Sequence, residues 1–170
     1  MKLSSLREIV SALNRHDVRF LIAGGLAVAA HGYGRVTFDL DIVLQLEPEN
    51  VHRAVSALES LGYRPVAPVS AHELADPAKR EAWIREKNMV VFSLRSEQHR
   101  ETPVDIFVSE PFVFDIEYDR ALVGDILPGV PARFICLETL IRMKEQTGRE
   151  KDREDVRQLK FFLEKPDEQA

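Results

Sequence analysis

Phe38-Asp39-Leu40-Asp41-Ile42-Val43-Leu44 decides how this chain is read, because an apolar run opens on two carboxylates. Side chains two apart on a strand share a face, so Asp39 and Asp41 project together while Leu40 packs elsewhere. Two like charges beside a core are costly unless something neutralises them. A divalent cation such as Mg²⁺ does so, since it takes oxygen ligands. Upstream, the apolar run from Val18 to Ala23 reads as a buried strand that stops at Gly24-Gly25. The Ala- and Leu-rich stretch from Leu26 to His31 then reads as a short helix opening directly on that pair. Glycines between a strand and a helix N-terminus let backbone N–H groups approach a phosphate, and the helix dipole favours the anion. Downstream, Val104-Asp105-Ile106-Phe107-Val108 again sets one acid into an apolar strand. If the two acid-bearing strands are neighbours, Asp39, Asp41 and Asp105 converge on one point. That is the ligand set required to hold two metal ions about 3.5–4 Å apart around a transferring phosphoryl group.

The remaining elements follow from periodicity. Leu6, Ile9, Val10 and Leu13 form the stripe of a helix over 3–15. Pro48 suits a first helical position, and Val51, Ala54, Val55, Leu58 and Leu61 carry a second helix to Gly62. Asp76-Pro77 starts a third helix leading to Trp83-Ile84, and Met89 to Phe92 reads as a strand followed by a polar turn at 96–101. Strand-like pieces at 112–114 and 121–127 precede two closing helices, about 137–146 and 150–163. Trp83 and Phe112 are expected in the core. Strands alternating with helices predict an α/β (α+β) domain built on one sheet.

Composition narrows the class. The chain has 170 residues, with 23 Lys+Arg against 28 Asp+Glu and a net charge of −5. This length is one domain with a sizeable core. A mildly acidic total argues against bulk, non-specific nucleic-acid binding while leaving room for a local basic groove. Cys136 is the lone cysteine, which excludes a disulfide scaffold or a Cys-based zinc site. No apolar run reaches membrane-spanning length, and the amphipathic N-terminus lacks a signal peptide's continuous apolar stretch. The expectation is a cytoplasmic protein with no membrane partner. Other chemistries built on D-x-D fit less well: haloacid-dehalogenase-like phosphatases place the apolar strand before the acids, and sugar-nucleotide glycosyltransferases usually need a longer chain. No Walker A loop or Rossmann fingerprint occurs, and the five histidines show no metal-ligand spacing.

Ala23-Gly24-Gly25, Arg35-Val36-Thr37-Phe38-Asp39-Leu40-Asp41-Ile42 and Pro103-Val104-Asp105-Ile106-Phe107 together resemble the polymerase-β-like nucleotidyltransferase superfamily. The tail from Arg142 to Asp152 is similar to the AbiEii-like, toxin-type branch of minimal nucleotidyltransferases. The resemblance spans about residues 18–160. It implies a mixed β-sheet flanked by helices, with a catalytic core at 1–136 and C-terminal helices at 137–165 packed on the same domain; the last residues, 166–170, read by themselves as a disordered tail. It implies that Asp39, Asp41 and Asp105 bind Mg²⁺ or Mn²⁺, with Asp105 also helping to deprotonate an attacking hydroxyl. Gly24 and Gly25 would hold the phosphates of an NTP, with Arg35 and Lys144 as cationic partners. The acceptor would be an RNA such as tRNA, a protein or a small molecule, and a cognate antitoxin would be a partner. Gly25 stands where many relatives have Ser, so a catalytically inactive nucleotide- or partner-binding module is the alternative reading. Between Arg142 and Lys160 lie seven Lys/Arg and five Asp/Glu, read mainly as a solvated face. Lys144 and Lys151 are the exceptions, with Asp152 and Asp155 available to orient them.

Overall fold

In the computed structural model, the strands carrying Asp41 and Asp105 lie side by side. It describes residues 1–34 and 36–164; Arg35 and the tail expected to be disordered, 166–170, lie outside the described residues, as does 165. The sheet has seven strands: β1 (Phe20–Ile22), β2 (Leu40–Leu44), β3 (Tyr63–Pro65), β4 (Val91–Ser96), β5 (Val104–Phe107), β6 (Leu122–Leu127) and β7 (Val130–Phe134). Their order is β3-β4-β5-β2-β1-β7-β6. The β2–β5 and β1–β7 pairs are parallel and the other four antiparallel, so this is the mixed sheet that the family resemblance implies. The central strands are apolar because both faces are covered. Phe20, Leu21, Ile22, Leu40, Ile42, Val43 and Leu44 are all buried.

Helices supply that cover. The helix α1 (Leu3–Arg15) buries Leu6, Ile9, Val10 and Leu13, and packs on α3 (Pro48–Ser60), which opens with Pro48 in its first turn. The short α2 (Gly24–Ala30) packs on β2 and on α6 (Leu137–Thr147). In turn α6 packs against α7 (Glu150–Glu164), the two separated at Gly148, whose φ of +65° ends the first helix in the left-handed region. His31 fixes the far end of α2 through Nε2 and the Ile135 carbonyl, 2.8 Å away. The helix α4 (Pro77–Lys87) starts on Asp76, whose carboxylate accepts from the Ala78 N–H. As expected, Trp83 is buried on this helix, stacked against Phe92.

Four elements differ from the sequence expectation, one of them a 3-10 helix at Ala71–Ala75 capped by Ser70. Residues 112–114 do not form a strand; Phe114 opens the helix α5 (Phe114–Arg120). The helical signal there is the i,i+4 pair Phe114 and Tyr118, whose rings stack 5.5 Å apart. Glu117 would be exposed on a simple reading, yet it is buried, accepting from the Cys136 N–H at 2.7 Å and the Thr139 hydroxyl at 2.8 Å. It thereby anchors α5 to the start of α6. Neither β3 nor β7 was marked by the sequence, because each is short and carries a proline. Pro65 sits on the edge strand, where a missing N–H costs nothing. Pro131 lies in β7 below the single position at which β7 pairs with β1, Ile22 opposite Phe134.

Candidate active site

The antiparallel pairing of β1 and β2 brings the end of one strand to the start of the other. The Ala23 N–H donates to the Asp41 carbonyl at 2.9 Å, and the chain then turns into α2 at Gly24. Gly24 has a φ of +60°, and a Cβ built there would collide with the Asp41 carboxylate. Glycine is therefore required twice, for the backbone and for the space the acid occupies. The residue expected to admit a phosphate has a structural reason of its own here: its missing side chain makes room for Asp41. Gly25 is buried in the first turn of α2.

The parallel pairing of β2 and β5 sets Asp41 opposite Asp105. Asp39 lies just before β2, where the Thr37 hydroxyl donates to its Oδ1 at 3.0 Å. The three carboxylates each present an oxygen within 4.8 Å of the others, and all three residues are half-buried. This is the convergence expected from sequence. An all-oxygen anionic donor set of this size suits a hard divalent cation, so the residues fit Mg²⁺ or Mn²⁺. Burial pushes the Asp41 carboxyl up to about 7, helped by the negative charges of Asp39 and Asp105, while Lys144 and Lys151 pull it back down. Proton uptake at Asp41 is how an acid cluster without a cation relieves its own repulsion.

Two contacts here went unmarked in the sequence. Arg95 Nη1 donates to Asp105 Oδ1 at 3.3 Å. Ser93 pairs with Asp105 across β4 and β5, so Arg95, two residues on, stands diagonally beside that acid on the same face. Only the register reveals this. Thr37 is similarly unremarkable until the loop folds its hydroxyl onto Asp39.

Lys144 and Lys151 are both near enough to act electrostatically on Asp41. Lys144 is buried, and its ammonium already bridges Asp152 at 3.0 Å and Asp155 at 2.7 Å. Asp152 also accepts from the Thr147 hydroxyl at 2.6 Å. The two aspartates thus orient this lysine, and the group joins α6 to α7 as well as flanking the acids. Arg35, the other expected cation, lies outside the described residues.

Gly24→Ala should cost about 1–3 kcal/mol from its left-handed backbone alone and displace the Asp41 carboxylate. The check is a denaturant melt beside a Mn²⁺ titration. Unchanged Mn²⁺ affinity would show that Gly24 does not set the position of that acid.

No family model matches the chain, and no curated protein matches it by sequence. Solved structures do match by shape. A crystal structure of ANT(2")-Ia in complex with adenylyl-2"-tobramycin aligns at a TM-score of 0.59 and 16% identity, covering 94% of this chain and 88% of that one. A solution structure of the antibiotic-resistance factor ANT(2'')-Ia aligns at 0.59 and 16%, covering 96% of this chain and 86% of that one. Across nearly its whole length, therefore, the chain has the mixed-sheet fold of these nucleotidyltransferases, with its three acids gathered at adjoining strand starts.

Proposed function

We propose that this protein transfers a nucleoside monophosphate from an NTP to a hydroxyl group of a small-molecule acceptor. The observation that carries the reading is the convergence of Asp39, Asp41 and Asp105 beside the Gly24 turn, within a nucleotidyltransferase fold. Asp39, Asp41 and Asp105 would hold Mg²⁺ or Mn²⁺, which when bound neutralises charge developing on the transferring phosphoryl group. The chain's own groups do the positioning. Backbone N–H groups at Gly24 and Gly25 would meet the β- and γ-phosphates, with Arg35 as their cationic partner, while Lys144, already bridged by Asp152 and Asp155, acts on the site through its field at Asp41. Asp105, held by Arg95, takes the proton of the acceptor hydroxyl. The acceptor oxygen forms a bond to the α-phosphorus as the bond to the bridging oxygen breaks, and pyrophosphate leaves with that electron pair. Membrane insertion has no part in this reading: among the described residues, no helix is long and apolar enough to cross a membrane.

A small-molecule acceptor is favoured because the neighbouring ANT(2")-Ia structure contains an adenylylated tobramycin. The AbiEii-like tail supports a different acceptor, an RNA such as tRNA or a protein, with an antitoxin partner. Incubating the protein with labelled NTPs, Mg²⁺ and a cell lysate separates these readings by pool. Label in the small-molecule fraction, abolished by EDTA and by Asp39→Ala with Asp41→Ala, is the expected result. Label in RNA or protein would transfer the assignment to the toxin-type reading. Equal labelling by wild type and double variant would sink the transfer reaction itself, and NTP binding without labelling would favour the non-catalytic module.

A further inference from the structure

Beyond the carboxyl ends of β2 and β5, away from Asp41 and Asp105, the surface folds in to form a cleft of about 510 Å³. Arg80 of α4 lines it, although this residue is only 8% exposed. Burying a guanidinium is expensive unless it is well paired. Here Nη1 donates to one backbone carbonyl, that of Leu74, at 2.7 Å, and the group makes no ion pair with any carboxylate among the described residues. No fully buried side-chain nitrogen among the described residues lacks a hydrogen-bond partner, so the guanidinium nitrogens without one keep some solvent exposure, on a residue that lines the cleft. The surroundings are mixed. Ile84 and Val113 line the cleft as exposed apolar side chains. Glu81 and Glu110 also line it and act electrostatically on Arg80, but Glu110 is already engaged by the Leu46 N–H at 2.8 Å.

We propose that this cleft is a second ligand site, one that binds a small zwitterion whose carboxylate adjoins an apolar side chain. The carboxylate meets the Arg80 fork, which is shaped for two-point recognition of such a group. The apolar side chain lies on Ile84 and Val113, and an ammonium group faces Glu81. An anion without a positive end would be repelled by the surrounding acids, and a simple cation would meet Arg80; a zwitterion satisfies both. A cleft of this volume is ample for a dipeptide. None of the three converging acids lines it, so the proposal stands apart from the transfer reaction.

The probe is lysyl-leucine, a dipeptide zwitterion with one further ammonium on its side chain to reach Glu81, titrated into the full, isotope-labelled chain and followed by amide chemical shifts. Saturable shifts are expected at Ser109, Glu110 and Val113, with Asp39, Asp41 and Asp105 unmoved. Lysyl-leucinamide, which lacks the carboxylate, should bind about tenfold more weakly, the loss of one charge-assisted hydrogen-bonded contact. Glu81→Gln, at an exposed position that leaves the fold intact, should weaken lysyl-leucine about threefold. No saturable shift by about 10 mM ligand would overturn the proposal. So would equal binding of the amide, or a Glu81 variant that binds as well as wild type.

Discussion

Asp41→Asn is expected to abolish the proposed nucleotide transfer, by about a thousandfold or more, while making the cation-free protein more stable at neutral pH. The two effects share one cause. Asp41 sits against Gly24 and opposite Asp105, where its negative charge is useful to a bound cation and costly without one. Burial first, then Asp39 and Asp105, raise its carboxyl from 3.8 to about 7. A carboxyl with a raised folded value binds a proton in the native state that the unfolded chain has already released. Between about pH 4 and pH 7, stability should therefore fall as the pH rises, by at most about 4 kcal/mol. Asn removes the ionisation and with it that slope. It also removes an anionic ligand, and phosphoryl transfer depends on charge neutralisation that a carboxamide does not supply. Melts in EDTA across pH 4 to 8, run for wild type and variant, test the stability half. A wild-type melting temperature that rises through this window would contradict the sign. In millimolar Mg²⁺ the wild type should gain most at the alkaline end, where protons compete least with the cation for the three carboxylates.

The reach of the sequence depended on how local each signal is. Asp39-Leu40-Asp41 announces itself because two carboxylates in an apolar run break the pattern of a buried strand, and Asp105 does so again. Their meeting rests on one parallel pairing, β2 with β5, which the alternation of strands and helices leaves open. Gly24-Gly25 was legible as a turn; that Gly24 makes room for Asp41 required the β1–β2 register. Arg95 gave no signal, since an arginine on a half-exposed strand is ordinary until Asp105 lies beside it. The helix over 114–120 was hidden because its one inward acid, Glu117, obtains its compensation from Cys136 and Thr139 in a distant segment. Pro65 and Pro131 masked β3 and β7, since proline argues against a strand wherever edge position and pairing are unknown. Long apolar periods and polar residues that break them were readable, and polar contacts set only by strand register, such as Arg95 on Asp105, were not.

Lys144→Met should be the most damaging single change outside the three acids. The lysine is buried between Asp152 and Asp155, so its removal takes from the α6–α7 junction the cation that bridges the two carboxylates. Breaking a buried pair in this way costs about 3–5 kcal/mol. Burial opposes ionisation of Asp152, yet the Thr147 and Lys144 hydrogen bonds outweigh it and hold its carboxyl below the usual range. With the lysine gone, one of those supports disappears and Asp152 should take up a proton more readily. The stabilising contribution of that lowered carboxyl is present above its ordinary value near 3.8 and is lost as the pH falls through its folded value. The variant should therefore melt lower than wild type at pH 7 and lose part of its deficit on acidification. A second consequence reaches the candidate site. Lys144 is one of two charges restraining the rise at Asp41, so Met should push that carboxyl higher and weaken Mn²⁺ binding at pH 7. Adding Asp152→Asn to Lys144→Met separates the two roles, since removing one of the two carboxylate charges while keeping an acceptor for the Thr147 hydroxyl relieves part of the stability deficit but cannot restore positive charge beside Asp41. Denaturant melts and Mn²⁺ titrations of wild type, single and double variants provide the readout. If Lys144→Met costs under about 1 kcal/mol, the pair does not hold the two helices together. If the double variant recovers Mn²⁺ affinity along with stability, the lysine acts on the site through packing and not through its charge.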